Sequence, residues 1–139
     1  MTFGGDKKVG VSILNGPEKK LVAWGTPRIP AKIETYHLTI LTLLWSVLNP
    51  LFGILAKHVS IHFLWAVSAM ILFQYVTDLF DGAIGRARDT GLIKWGFYMD
   101  HFLDYIFLSS LVLTGYLIAP AGLGGYYILL FILTGGFMV

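Results

Sequence analysis

Four aspartates stand in or beside stretches of the chain that are otherwise apolar enough to cross a membrane. They are Asp78, Asp81, Asp100 and Asp104, half of the eight acidic residues in the sequence. A carboxylate in the hydrocarbon of a bilayer is costly and is tolerated where it has a function or a partner. These residues are therefore the first candidates for chemistry.

The spacing of the aspartates predicts a shared site. Residues three or four positions apart lie on one face of a helix, so Asp78 and Asp81 project together, as do Asp100 and Asp104. If the two helices are neighbours, the four carboxylates converge and repel one another unless a cation neutralises them. Oxygen ligands without Cys or His favour Mg²⁺ or Mn²⁺, which proteins usually share with substrate phosphates.

Glycines and an arginine lie beside these carboxylates. Gly82 follows Asp78 by one helical turn, and Arg86 follows Gly82 by another. Gly96 precedes Asp100 by one turn. Glycine lets a ligand approach the backbone closely, and the guanidinium of arginine suits a phosphate group. The pattern indicates a metal-assisted phosphate site.

The composition predicts an all-α integral membrane protein. The 139 residues are 56% hydrophobic and 13% charged, whereas soluble domains carry about 25% charged residues. The absence of cysteine excludes disulfides and thiolate metal sites. We expect about four membrane-spanning helices, near residues 38–56, 59–77, 95–119 and 124–139.

The distribution of basic residues predicts the orientation in the membrane, because cytoplasmic loops carry an excess of Lys and Arg. Six of the ten basic residues precede the first span, and three lie between the second and third. Lys57 alone falls between the first and second spans. We therefore expect the N-terminus and the region 78–94 on the cytoplasmic side.

Taken together, the aspartates, glycines and arginine carry a specific resemblance. The pattern D-x2-D-G-x2-A-R-x9-G-x3-D-x3-D resembles the signature of the CDP-alcohol phosphotransferase family, with Gly85 where the family usually has alanine. The segment 35–39 is similar to the family's Thr-Pro-Asn-x-Leu/Ile-Thr entry, with Tyr and His in place of Pro and Asn. The resemblance covers residues 17–119. The matching positions are Asp78, Asp81, Gly82, Arg86, Gly96, Asp100 and Asp104.

The resemblance implies a membrane enzyme of phospholipid biosynthesis. Such enzymes usually have six transmembrane helices, are often homodimers, and hold the active site in a polar cavity at the cytoplasmic face. They transfer a substituted phosphate from a CDP-linked donor, such as CDP-diacylglycerol, to an alcohol acceptor and release CMP. The expected cofactor is Mg²⁺ or Mn²⁺. The expected partners are the donor, the acceptor alcohol and the bilayer, with no nucleic acid.

The resemblance also implies a role for each residue. Asp78, Asp81 and Asp100 would bind the divalent metal. Asp104 would act as general base on the acceptor hydroxyl and could contact a second metal. The CDP portion of the donor would contact Asp78, Gly82, Gly85, Arg86 and Gly96.

Two regions are expected along the chain. Residues 1–34 are predicted to form a cytoplasmic tail with an amphipathic helix at residues 17–23 on the membrane surface; a disordered basic tail is the alternative. Residues 35–139 are predicted to form the transmembrane catalytic domain. The last span reaches Val139 with no polar anchor after it, which predicts a truncated bundle of about four of the six helices.

Other interpretations stay open. Intramembrane carboxylates also occur in proton- or cation-coupled transporters, although a proton relay has no use for a phosphate-binding arginine. The chain could also be a non-catalytic fragment or homologue. Arg88, Asp89 and Lys94 are expected to be solvated loop residues.

Overall fold

The computed structural model describes residues 15–88, 93–120 and 122–136, and for residues 93–97 it describes the backbone alone. This part of the chain is helical and contains no strand, which confirms the all-α prediction. The five α-helices of these ranges are α1 (Asn15–Gly25), α2 (Thr35–His58), α3 (Leu64–Arg88), α4 (Ile93–Ile118) and α5 (Gly124–Gly135), with 3₁₀ turns at Thr26–Arg28 and Ile61–Phe63.

Three stretches of the described chain are long and apolar enough to cross a membrane. They are Thr35–His58, Ile61–Arg88 and Tyr98–Ile118. Helix α5 is apolar but has 12 residues, fewer than the ~20 that span the hydrocarbon. The fold is therefore compatible with a membrane protein. The expected number of four spans stays a prediction.

Helix α1 contains the segment 17–23 that was predicted to be helical, and it packs against α3. The last residue of α1, Gly25, lies under the ring of Phe80. Nearer its start, Glu18 accepts a hydrogen bond from the Tyr75 hydroxyl. The location of α1 on a membrane surface stays a prediction.

Helix α3 is longer than its predicted span. It begins at Leu64, after a 3₁₀ turn, and continues to Arg88, whereas the apolar run alone predicts an end near Thr77. Asp78 and Asp81 therefore lie inside the helix, where the backbone fixes their directions, and not at its end.

Helix α2 lies between α3 and α4 and packs against both. Small and polar residues at spacings of three and four dominate its buried face, which lets neighbouring backbones approach closely, as in membrane helix pairs. The buried residues are Leu38, Thr42, Ser46, Asn49, Gly53 and Ala56.

Specific contacts fix the directions of the three helices. Asn49 Nδ2 donates to Ser110 Oγ at 3.1 Å, and Gly53 faces Thr114 one turn further along both helices, so α2 and α4 are parallel. The ring of Trp45 lies 5.4 Å from the ring of Phe73. Together with contacts between residues 35–39 and 81–85, this makes α2 and α3 antiparallel.

Helices α3 and α4 do not pack on each other. Among the described residues, no Cα of α3 lies within 8 Å of a Cα of α4. We call this separation the α3–α4 gap. Helix α2 is therefore the element through which the positions of α3 and α4 depend on each other.

Arg88, at the end of α3, holds the segment that leads into α2. Its guanidinium donates to four carbonyl oxygens of the segment 29–33, three of them at 3.1, 3.2 and 3.4 Å. Arg88 is half-buried and is not the solvated loop residue that was predicted. Asp89 and the side chain of Lys94 lie outside the described residues.

Candidate metal centre between two long helices

Three of the four aspartates meet across the α3–α4 gap. Each of Asp78, Asp100 and Asp104 contributes one carboxylate oxygen, and these three oxygens lie within 4.8 Å of one another. Asp78 comes from α3, and Asp100 and Asp104 come from successive turns of α4. Asp78 and Asp104 are half-buried, whereas Asp100 is exposed. We call these three residues the acidic triad.

Asp81 lies at the edge of this cluster and faces α2. The Thr39 hydroxyl is 3.5 Å from Asp81 Oδ2 and 3.2 Å from the Thr35 carbonyl. Because this hydroxyl carries one hydrogen, the two bonds are alternatives. Asp81 is half-buried and is repelled electrostatically by Asp100, so it shares the negative field of the triad without joining it.

Thr39 lies on α2 at the level of the acidic triad. The pair Asn49–Ser110 sets an offset of 61 residues between the parallel helices α2 and α4. The same offset carried down α2 puts Thr39 level with Asp100. Thr39 is not among the residues predicted for the site; the signal that could have identified it is its position as a polar residue in the segment 35–39.

The three carboxylates of the triad lie close enough to repel one another when they are ionised. Two ionised carboxylates with oxygens within 4.8 Å of each other repel by at least about 3 kcal/mol at an effective dielectric constant of ~20. The donor chemistry fits a hard cation, because all the atoms are carboxylate oxygens. Octahedral Mg²⁺ with bonds of about 2.1 Å places its ligands roughly 3 to 4 Å apart. Small side-chain rotations would therefore bring the triad into that range.

Helix α3 also carries Arg86, about two turns beyond Asp78. A Cβ atom added to Gly82 would lie 3.2 Å from Arg86 Nη1, so the guanidinium folds back over this glycine. Gly82 and Arg86 are both exposed. A cation and a guanidinium on the same helix face could thus hold neighbouring anionic groups of one ligand.

The two remaining predicted glycines have different surroundings. A Cβ at Gly85 would meet the methyl group of Thr35 at 3.5 Å, an ordinary contact. Gly85 therefore faces α2, with room for the alanine that the motif usually carries. Gly96 lies in the first turns of α4, and its surroundings lie outside the described residues.

No protein-family model, curated protein or solved structure matches this chain. The resemblance to the CDP-alcohol phosphotransferase family therefore depends on the residues of the motif alone.

Replacing one aspartate of the triad should change thermal stability in opposite directions with and without a divalent cation. In detergent micelles without divalent cations, Asp100→Asn should raise the melting temperature because it removes repulsion. With Mg²⁺ or Mn²⁺ at 100 times its dissociation constant, the unmodified chain should gain about 2.7 kcal/mol, and Asp100→Asn or Asp104→Asn should lose most of that gain. Glu18→Gln, outside the cluster, is the control and should keep it. An equal cation effect in all four proteins would contradict the proposed site.

Replacing Gly85 with alanine should stabilise the protein, whereas replacing Gly25 with alanine should destabilise it. Gly85→Ala should stabilise α3 by about 0.5 to 1 kcal/mol, because alanine loses less entropy in a helix. A Cβ at Gly25 would lie 2.5 Å from the Phe80 ring, so Gly25→Ala should cost about 1 to 3 kcal/mol through overpacking. Thermal unfolding of both variants in the same detergent checks the pair. Destabilisation by Gly85→Ala would mean that α2 and α3 are closer at this level than described.

Proposed function

We propose that the chain is a divalent-metal-dependent phosphotransferase of the CDP-alcohol type. It would move a substituted phosphate from a CDP-linked donor to an alcohol acceptor and release CMP. The observation that carries this proposal is the acidic triad across the α3–α4 gap, with Arg86 folded over Gly82 on the same helix. A cluster of carboxylates beside an exposed arginine suits a ligand that brings both a cation and phosphate groups.

The carboxylates would divide into cation ligands and a base. Asp78 and Asp100 supply oxygens from opposite sides of the gap, and Asp81 adds negative charge from the α2 side. A bound Mg²⁺ or Mn²⁺ would supply charge neutralisation for the donor's pyrophosphate. Asp78 and Asp100 would thus hold α3 and α4 at a fixed separation while the donor is bound.

Asp104 is proposed as the general base. It is half-buried, and its carboxylate can accept the proton of an acceptor hydroxyl within hydrogen-bonding distance. The hydroxyl oxygen forms a bond to the phosphorus that carries the donor's alcohol, and the bond from that phosphorus to the CMP oxygen breaks. The proton stays on Asp104, and CMP leaves with the electron pair of the broken bond.

Arg86 and Gly82 would orient the CDP portion. The guanidinium lies directly over Gly82, so a phosphate placed there would meet two donors of one planar group. A side chain at position 82 would push the guanidinium away. Gly85 faces Thr35 on α2. Its proposed effect on donor binding is therefore through the spacing of α2 and α3 more than through direct contact.

The setting is proposed to be a membrane with the triad at its cytoplasmic face. The basic residues before α2 and around the end of α3 favour that side. A lipid-linked donor such as CDP-diacylglycerol, an alcohol acceptor and a second copy of the chain are the proposed partners. The acceptor alcohol is not specified by the residues of the triad.

Release of CMP should depend on Asp104. The full chain, purified in detergent with Mg²⁺, is incubated with CDP-diacylglycerol or CDP-choline and a panel of acceptors: glycerol phosphate, inositol phosphate, serine and diacylglycerol. We expect CMP release with at least one pair, and a loss of about 10²- to 10⁴-fold in Asp104→Asn, the range for a general base.

Two controls test whether the loss is specific to the cluster and whether the activity needs a divalent cation. Glu18→Gln removes an acid outside the cluster and should keep full activity. Removing divalent cations should abolish CMP release in every variant. Full activity in Asp104→Asn would refute the assigned base. Cation binding at the triad without CMP release from either donor would refute the transferase and favour the cation-coupled transporter.

A further inference from the structure

Five buried polar side-chain atoms lack a partner among the described residues, and three of them belong to α2 and α3. These three are Trp45 Nε1, Asn49 Oδ1 and Gln74 Oε1. Asn49 has no exposed surface, and Gln74 has 6%. A buried polar group without a hydrogen bond costs about 1 to 3 kcal/mol, and hydrocarbon offers no alternative partner in a membrane. Three such atoms in one region require an explanation.

Two of these atoms belong to α2 and the third belongs to α3. Trp45 and Asn49 are four residues apart and share a face of α2. The Trp45 ring lies 5.4 Å from the ring of Phe73, which directly precedes Gln74 in α3. The buried side chain of Gln74 therefore enters the bundle at the level of Trp45.

The orientation of the Asn49 amide is fixed by its neighbours. The Ser110 hydroxyl donates its hydrogen to the Phe107 carbonyl at 2.7 Å. Ser110 Oγ can therefore only accept from Asn49, whose Nδ2 is 3.1 Å away. This leaves Asn49 Oδ1 as an acceptor that needs a donor from elsewhere.

The unpartnered set consists of one donor and two acceptors. The indole N–H of Trp45 needs an acceptor, whereas the carbonyl oxygens of Asn49 and Gln74 each need a donor. A metal cation could satisfy the two oxygens but would be repelled by the indole N–H. One water molecule satisfies all three, because buried waters typically make about three hydrogen bonds.

Pro50 adds a further acceptor at the same place. A proline in a helix has no N–H for the carbonyl four residues earlier, which here belongs to Ser46. Ser46 is buried on the same face of α2 as Asn49. The region thus contains more acceptors than donors, which favours a ligand with two O–H groups.

We propose that one buried water molecule binds between α2 and α3 at this position. It accepts from Trp45 Nε1 and donates to Asn49 Oδ1 and Gln74 Oε1. Because Asn49 also bonds Ser110, the water and Asn49 connect all three long helices at the level where Pro50 interrupts the hydrogen bonds of α2. This site is independent of the proposed function at the triad.

Nuclear magnetic resonance of the indole N–H group tests the proposal. The full chain is labelled with ¹⁵N at its tryptophan indoles in lipid nanodiscs, and Trp45→Phe assigns the resonance. We expect a cross-peak between the Trp45 indole proton and a long-lived water. Gln74→Leu, which conserves volume, should remove that cross-peak and move the indole proton upfield.

Ser68→Ala is the matched control. Ser68 lies on α3, is exposed, and bonds the Leu64 carbonyl, so its removal should leave the Trp45 signal unchanged. The absence of a water cross-peak from the Trp45 indole in the unmodified chain would overturn the proposal, even if the Gln74 variant failed to fold. A cross-peak that persists unchanged in folded Gln74→Leu would also overturn it.

Discussion

The central constraint in the structure is the close approach of carboxylates from α3 and α4 across the α3–α4 gap. Asp78 on one side and Asp100 and Asp104 on the other lie within 4.8 Å, while the described backbones of α3 and α4 stay beyond 8 Å. Ionised, these groups would push the helices apart, whereas around the proposed cation they would draw them together. The distance between α3 and α4 at the acidic triad should therefore become shorter when the negative charge of the triad is neutralised.

Helix α2 determines where that site forms. Its buried face of small and polar residues lets α3 and α4 pack on the same helix, while the described Cα atoms of α3 and α4 stay more than 8 Å apart. Its beginning is fixed twice: Arg88 holds the segment before it, and Glu34 and His37 form a reciprocal capping box at its first turn. Contacts far from the aspartates, such as Asn49 with Ser110, consequently set the register of the carboxylates on α4.

Local periodicity made part of this predictable from the sequence. The apolar runs predicted three of the helices, and the three- and four-residue spacings predicted which aspartates share a face. The apolar run alone predicts an end near Thr77, whereas α3 continues to Arg88, because polar residues after Thr77 end the apolar run but not the helix. The sequence could not separate Asp81 from the triad, since that depends on the contact of Asp81 with Thr39, 42 residues away. Long-range contacts of this kind leave no periodic signal.

The central claim is that one divalent cation joins α3 and α4. A measurement of the distance between these two helices tests it most directly. Because the chain has no cysteine, Ala87→Cys and Phe102→Cys place two spin labels on exposed positions of α3 and α4. Double electron–electron resonance should give a broad distribution of distances between the two labels without divalent cations. With Mg²⁺, the distribution should be narrower and its mean distance shorter. Asp100→Asn in the same labelled chain should abolish the change. Identical distributions with and without Mg²⁺ would contradict the account.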